Sequence, residues 1–197
     1  MIDLQTYLEN KLRAILSSWS ENGIYAISFF VYSNEAYRYN GFSNITKFFV
    51  SYNTEDDCGH ADILSEKRWN YAFWRQNETP VIDADQDPEG AKILFDWYQQ
   101  NDIIRIGYEN QAECYDEQMR YIGKGPVGYY ELLSEITMVA KKLQESRFIR
   151  NKFGKPIPII IHDLEYSWYT IETTKKANPH GEADAFFAAM KELGFIE

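Results

Sequence analysis

The feature that most constrains the fold is an apolar run from Ile24 to Tyr32, with the sequence IYAISFFVY. β-Branched and aromatic residues dominate it, and residues of these types are enriched in strands. Because the run offers no polar face to water, a strand formed by it must be buried on both faces. The sequence therefore predicts a sheet with this segment at a central position.

Other segments extend this prediction to an α+β fold. Strands are predicted at Thr46–Asn53, antiparallel to the first, at Pro156–Ile161, and at Ile104–Tyr108, where apolar residues alternate. Helical spacing or capping signals predict helices after Asp3, over Ser65–Gln76, after Asp87-Pro88, after Gly125-Pro126, before Lys175–Pro179 and before Gly194. We expect a single domain, 1–197, with one small, mainly antiparallel sheet of three to five strands and about five helices packed around it.

The negative charge of the chain is concentrated in its middle third. Residues 54–117 hold 16 acidic against 5 basic side chains, a net of −11, while the whole chain carries −10. Burying unpaired carboxylates is costly, so much of this charge is expected at the surface, where it would steer a basic protein partner. The aspartates predicted to form this docking face are Asp56, Asp57, Asp83, Asp85 and Asp87. The alternative is an acidic face that serves solubility alone.

Composition also argues against several classes of protein. An isoelectric point near 4.8 argues against a nucleic-acid ligand. No apolar run approaches the roughly 20 residues that span a bilayer. The first residues, Met1–Leu4, do not form a secretory leader, and Cys58 and Cys114 form no CxxC motif. We therefore expect a cytoplasmic protein with reduced thiols, no cofactor and no membrane partner.

An aromatic run, Arg68–Trp74, lies inside the acidic region. It contains two of the five tryptophans of the chain, and Trp69 and Phe73 stand at helical i, i+4 spacing. Aromatic side chains at that spacing usually belong to a core. Two interpretations stay open for Trp69, Phe73 and Trp74: a core cluster, or the platform of a small-ligand pocket.

Catalytic and metal-binding patterns are weak. A metal-dependent hydrolase would use His60, Asp62, His162 and Asp163, yet strand alternation places the last two on opposite faces and no HExxH is present. The loop Asp83–Asp87 lacks the glycine and glutamate of a calcium loop. The backbone amides of the glycine loop at 123–126, before a helix, could bind an anion, but the loop lacks the GxxxxGK(S/T) spacing of a phosphate loop. No catalytic residue is predicted, which favours a protein that is not an enzyme, with the hydrolase as an alternative.

Four segments together resemble a known bacterial family. They are RWNYAFW at 68–74, IGKGP at 122–126, IPIIIHDLEY at 157–166 and TKKANP at 174–179. In their order and spacing they resemble the family catalogued as domain of unknown function 4303. The resemblance implies an α+β protein of one domain and no catalytic residues. Small acidic bacterial proteins of this kind also resemble immunity proteins of toxin systems, which suggests an immunity-like role toward a basic partner.

Overall fold

The computed structural model describes residues 3–196 and contains one open sheet. The strands are β1 (Ile24–Ser33), β2 (Thr46–Thr54), β3 (Thr79–Ile82) and β4 (Ile159–His162), in the order β3-β2-β1-β4. β2 pairs antiparallel with both β1 and β3, while β4 pairs parallel with β1, so the sheet is mixed. The predicted α+β class with one small sheet is confirmed. The apolar run forms β1, which lies between β2 and β4.

Seven helices are found in the described part of the chain. They are α1 (Leu4–Ser18), α2 (Glu66–Trp69), α3 (Pro88–Gln100), α4 (Tyr129–Glu145), α5 (Phe148–Phe153), α6 (Trp168–Ala177) and α7 (Asp184–Glu192). Several predicted boundaries are confirmed. Asp3 caps α1 by accepting the Thr6 N–H at 2.9 Å. Gly194, at φ +76°, follows α7, and the Phe195 N–H closes the helix on the Met190 carbonyl at 2.9 Å.

Apolar side chains cover both faces of the sheet. On one face Ile27, Phe29 and Val31 of β1 join a core that includes buried residues of α1, α3 and α4. On the other face Tyr25 and Ile160 pack with aromatic residues that include Trp69, Trp74 and Phe186. The central strand is thus buried from both sides, as its composition requires.

Two predicted elements are wrong. The segment 65–76 forms only α2 and a 3₁₀ turn at Tyr71–Phe73, because Asn70 between them is extended and its side chain caps the turn by accepting the Ala72 N–H at 3.0 Å. The predicted strand at 104–108 is irregular. Asp102 before it and Gly107 within it have left-handed backbone conformations. The Gly107 N–H donates to the Val127 carbonyl instead of to a neighbouring strand. Ile106 is buried, but Ile104 is 79% exposed and Tyr108 is 47% exposed, so the alternating residues do not share one buried face.

The first turn of α3 contains a crowded glycine, and this leads to a prediction. Asp87, buried before the helix, accepts the Tyr7 hydroxyl at 2.8 Å and pairs with Lys11 at 2.7 Å. A Cβ on Gly90 would lie 1.9 Å from Asp87 Oδ2. Gly90→Ala usually favours a helix by about 1 kcal/mol, yet here we expect the free energy of unfolding to fall by about 1–3 kcal/mol.

Urea unfolding measures this effect. Glu89→Ala, at the exposed neighbouring position, serves as the control and should change the free energy of unfolding by less than about 1 kcal/mol. A Gly90→Ala protein at least as stable as the wild type would contradict the crowding.

Candidate binding site

A pocket opens at the edge of the sheet where the two parallel strands end. β1 and β4 end at Ser33 and His162, and their parallel pairing places both carboxyl ends at the same edge. In open sheets with parallel strands, ligands commonly bind in the crevice beyond these ends. The pocket has a volume of about 370 Å³ and lies between the segment after β4, the start of α4 and the start of α6. We call it the tyrosine pocket, after Tyr32, Tyr121, Tyr129, Tyr130 and Tyr169, which line it.

Three of these tyrosines form an edge-to-face cluster. The ring centroids of Tyr129 and Tyr130 are 5.1 Å apart, and those of Tyr130 and Tyr169 are 5.2 Å apart, with interplanar angles of 88° and 86°. Such near-perpendicular pairs are the favourable geometry for aromatic rings. The Tyr121 hydroxyl lies 3.3 Å from that of Tyr130 and extends the aromatic wall. The arrangement fixes several rings around one small space.

Three carboxylates also line the tyrosine pocket: Glu109, Asp163 and Glu165. Asp163 is the most enclosed, and its Oδ2 accepts the Tyr169 hydroxyl at 2.7 Å while its Oδ1 accepts the Glu165 N–H at 2.8 Å. No lysine, arginine or histidine lines the pocket in the part of the chain that the structure describes. Lys124 instead lines an adjoining cavity together with Glu113 and Glu131. The tyrosine pocket is therefore acidic.

The tyrosines themselves add no charge. Burial raises the pKa of Tyr129, and burial likewise raises the pKa of Tyr130 and of Tyr169. Hydrogen bonding and charge at Asp163 reinforce the rise in pKa at Tyr169. The phenols stay neutral near pH 7, so the negative charge of the pocket belongs to its carboxylates. Aromatic rings and carboxylates together attract a positively charged group.

The glycine loop at 123–126 forms part of this wall, but it does not form an anion cradle. Gly125 and Pro126 line the acidic pocket. At the start of α4 the Gly128 N–H already bonds to Glu131 Oε2 at 2.8 Å. Gly123, at φ +75°, packs so closely on Trp168 that a Cβ there would lie 2.6 Å from the indole ring. Close packing on α6 therefore accounts for this glycine.

The five aspartates predicted to form a docking face do not share one environment. Asp83 and Asp87 are buried, and they pair with Lys47 at 3.1 Å and Lys11 at 2.7 Å. Burial opposes ionisation of Asp83, but the Asp85 N–H and the Lys47 ammonium together bring its pKa below the usual value. Only Asp56, Asp57 and Asp85 are exposed, so the face cannot contain all five.

The aromatic run is divided between core and surface. Trp69 and Trp74 are buried against Tyr25, whose ring centroid lies 5.6 Å and 6.3 Å from theirs. Phe73 is 53% exposed because the chain leaves the helix at Asn70. The run therefore supplies the core on the second face of the sheet rather than one ligand platform.

The residues of the hydrolase alternative do not gather at one place. His60 and Asp62 belong to the loop after β2, where exposed His60 pairs with Asp56 at 3.1 Å. His162 is buried at the end of β4, and Asp163 lines the tyrosine pocket. Among residues 3–196, no three His, Cys, Asp or Glu side chains come together in a way that could hold a metal ion.

His162 has a partner that the sequence did not reveal. Its Nε2 lies 2.7 Å from the Ser28 hydroxyl on β1, and its Nδ1 lies 2.7 Å from the Asp163 carbonyl oxygen. Because Nδ1 must donate to the carbonyl, Nε2 accepts from Ser28. The pair resembles a serine–histidine dyad, but Ser28 is fully buried and does not line the tyrosine pocket. The hydrogen bond between Ser28 and His162 links β1 and β4 inside the core.

The tyrosine pocket was missed at the level of sequence because its residues are spread from Tyr32 to Tyr169 and show no shared spacing. Two local signals pointed toward it. One is the tyrosine pair Tyr129-Tyr130 after a glycine loop. The other is the run of acidic and aromatic residues from Asp163 to Tyr169, directly after a buried strand.

Comparisons with known proteins add no assignment. No protein-family model matches the chain, and neither curated proteins nor solved structures give a significant match. Within residues 3–196, no helix has both the length and the apolar character needed to cross a membrane.

Proposed function

We propose that this chain is a non-enzymatic interaction protein whose tyrosine pocket receives a positively charged side chain of a protein partner. The observation that carries the proposal is the joint lining of one pocket by five tyrosines and three carboxylates. An ammonium or guanidinium group near aromatic rings gains about 0.5–2 kcal/mol per interaction, with larger values when water is excluded. An immunity-like role toward a basic partner is one form of this proposal.

The enclosed position of Asp163 supports binding of one cationic group at a defined place. Its carboxylate is held by the Tyr169 hydroxyl and the Glu165 N–H, and the Tyr129 hydroxyl lies 3.4 Å away. A carboxylate fixed by its neighbours loses little freedom when a ligand binds, which favours affinity. Glu109 and Glu165 at the rim would add attraction at longer range.

The proposal predicts binding of a lysine analogue by charge. Nα-acetyl-lysine methylamide, whose side-chain ammonium group is free, should bind with a dissociation constant in the millimolar range, about 4 kcal/mol of binding free energy. The affinity is low because a pocket of this size contacts only the end of one side chain. The Nε-acetylated form of the same compound, which is neutral, should bind at least about tenfold more weakly. Chemical-shift changes in NMR titrations measure both.

A pair of variants locates the binding. Asp163→Asn removes the charge but keeps an amide oxygen, and it should weaken lysine-analogue binding by about tenfold. Asp102→Asn is the control, since Asp102 is exposed, does not line the tyrosine pocket and has a left-handed φ of +57° that asparagine adopts readily. Equal binding of the charged and neutral compounds, or equal weakening by both variants, would contradict the proposal.

A further inference from the structure

The largest cavity of those described lies beside the tyrosine pocket, between α4 and α6. It is a groove of about 790 Å³ and shares Tyr130 and Tyr169 with the tyrosine pocket, so the two spaces are neighbours along one surface. We call it the helix groove. Leu133, Met138 and Trp168 contribute apolar surface to it, and Met138 and Trp168 are 44% and 56% exposed. Their side chains make the middle of the helix groove apolar.

The helix groove has a direction, because α4 and α6 run parallel. At their amino ends Tyr130 packs on Tyr169, with ring centroids 5.2 Å apart. At their carboxyl ends Gln144 donates to the Asn178 side chain at 3.0 Å. The groove therefore begins at the acidic tyrosine pocket and extends toward the carboxyl ends of both helices.

The far end of the helix groove is basic. Lys141, Lys175 and Lys176 line it and are exposed. Glu172 is the one carboxylate among its lining residues, and it lies 3.9 Å from Lys176. Lys141 pairs with Glu145 at 3.6 Å, while Lys175 has no ion pair with any residue from 3 to 196. Positive charge thus exceeds negative charge at this end, opposite in sign to the tyrosine pocket.

We infer that the helix groove and the tyrosine pocket together bind one extended segment of a protein partner, with a basic residue at one end, apolar residues between and an acidic residue at the other end. The inference rests on the proposed function, because the basic residue of the segment occupies the tyrosine pocket. The two ends of the site match opposite charges, and the apolar middle matches the exposed Met138 and Trp168.

A short extended chain matches the length of the helix groove. Tyr130 and Lys141 are eleven positions apart on α4, which corresponds to about 16 Å along the helix axis. An extended chain advances about 3.3 Å per residue, so the two charged residues of the segment stand about five positions apart.

Selection from a displayed library of random 12-residue peptides tests the inference. The wild type should enrich peptides that carry Lys or Arg and, about five positions away, Asp or Glu, with apolar residues between. The best peptide should bind the triple variant Lys141→Glu, Lys175→Glu, Lys176→Glu about tenfold more weakly, since each exposed ion pair contributes about twofold to threefold in affinity. Exchanging the acidic residue of that peptide for lysine should restore binding to the triple variant.

The outcomes separate this inference from the proposed function. If the lysine analogue binds at Asp163 but enriched peptides lack the charge pattern, or bind the triple variant equally well, the helix-groove inference is overturned alone. If the analogue does not bind and the enriched peptides lack a basic residue, the proposed function fails as well. Self-association of the protein that Trp168→Ala abolishes would show that a second copy occupies the groove and would also overturn the inference.

Discussion

Trp69→Ala is expected to lower the free energy of unfolding by about 3–5 kcal/mol, the range for a large aromatic residue removed from a core. Trp69 is only 2% exposed and packs edge-to-face on Tyr25 and Phe186, at centroid distances of 5.6 and 5.7 Å. Its indole N–H donates to the Ile63 carbonyl at 2.6 Å, so the substitution also leaves a carbonyl without its partner.

Phe73→Ala is the matched control in the same aromatic run. Phe73 is 53% exposed, and removing it should change the free energy of unfolding by less than about 1 kcal/mol. Guanidinium chloride unfolding of both variants gives the comparison. Similar losses of stability in the two variants would contradict the assignment of Trp69 to the core and Phe73 to the surface.

Acidification is expected to destabilise the protein through His162. Complete burial of the imidazole lowers the pKa of His162 to about 4, from an ordinary value of 6.5. Between these two values the unfolded chain binds a proton that the folded protein does not, so stability rises with pH in this window and falls as the pH decreases. The contribution of His162 is a loss of about 2 kcal/mol between pH 7 and pH 5, and of about 3 kcal/mol by pH 4.

Urea unfolding at pH 7 and pH 5 measures this loss in the wild type and in two variants. His162→Gln, which keeps a polar group near Ser28, should remove most of the difference attributable to this residue. His180→Gln, at an exposed histidine, should leave the pH dependence nearly unchanged. NMR titration of the His162 ring gives an independent result if the variant is too unstable. A ring that titrates above pH 6 would contradict the prediction.

Local signals predicted much of the fold, because some residues have few structural options. The apolar run at 24–32 can be stable only between two layers, and Asp3, Asn178-Pro179 and Gly194 end helices through their own backbone chemistry. The errors occurred where one residue changed the local structure. Asn70 interrupts a helical pattern, and Gly107 bonds to a distant carbonyl, which no local spacing reveals.

The candidate site was less predictable, since it depends on tertiary pairing. Tyr32, Tyr130 and Asp163 meet only because β4 pairs parallel with β1 and α4 starts beside their ends. Asp83 and Asp87 are in an acidic run, but Lys47 on β2 and Lys11 on α1 neutralise them from other elements. Charge counted along the chain therefore overstates the acidic surface, and two of the three carboxylates of the tyrosine pocket, Asp163 and Glu165, lie outside residues 54–117.

A crystal structure of the protein with bound Nα-acetyl-lysine methylamide tests the central claim most directly. We expect its ammonium group in the tyrosine pocket, within about 4 Å of the Asp163 carboxylate and about 6 Å of the centroids of Tyr130 and Tyr169. Density for the compound at another place, or an empty tyrosine pocket at a saturating concentration of the compound, would contradict the account.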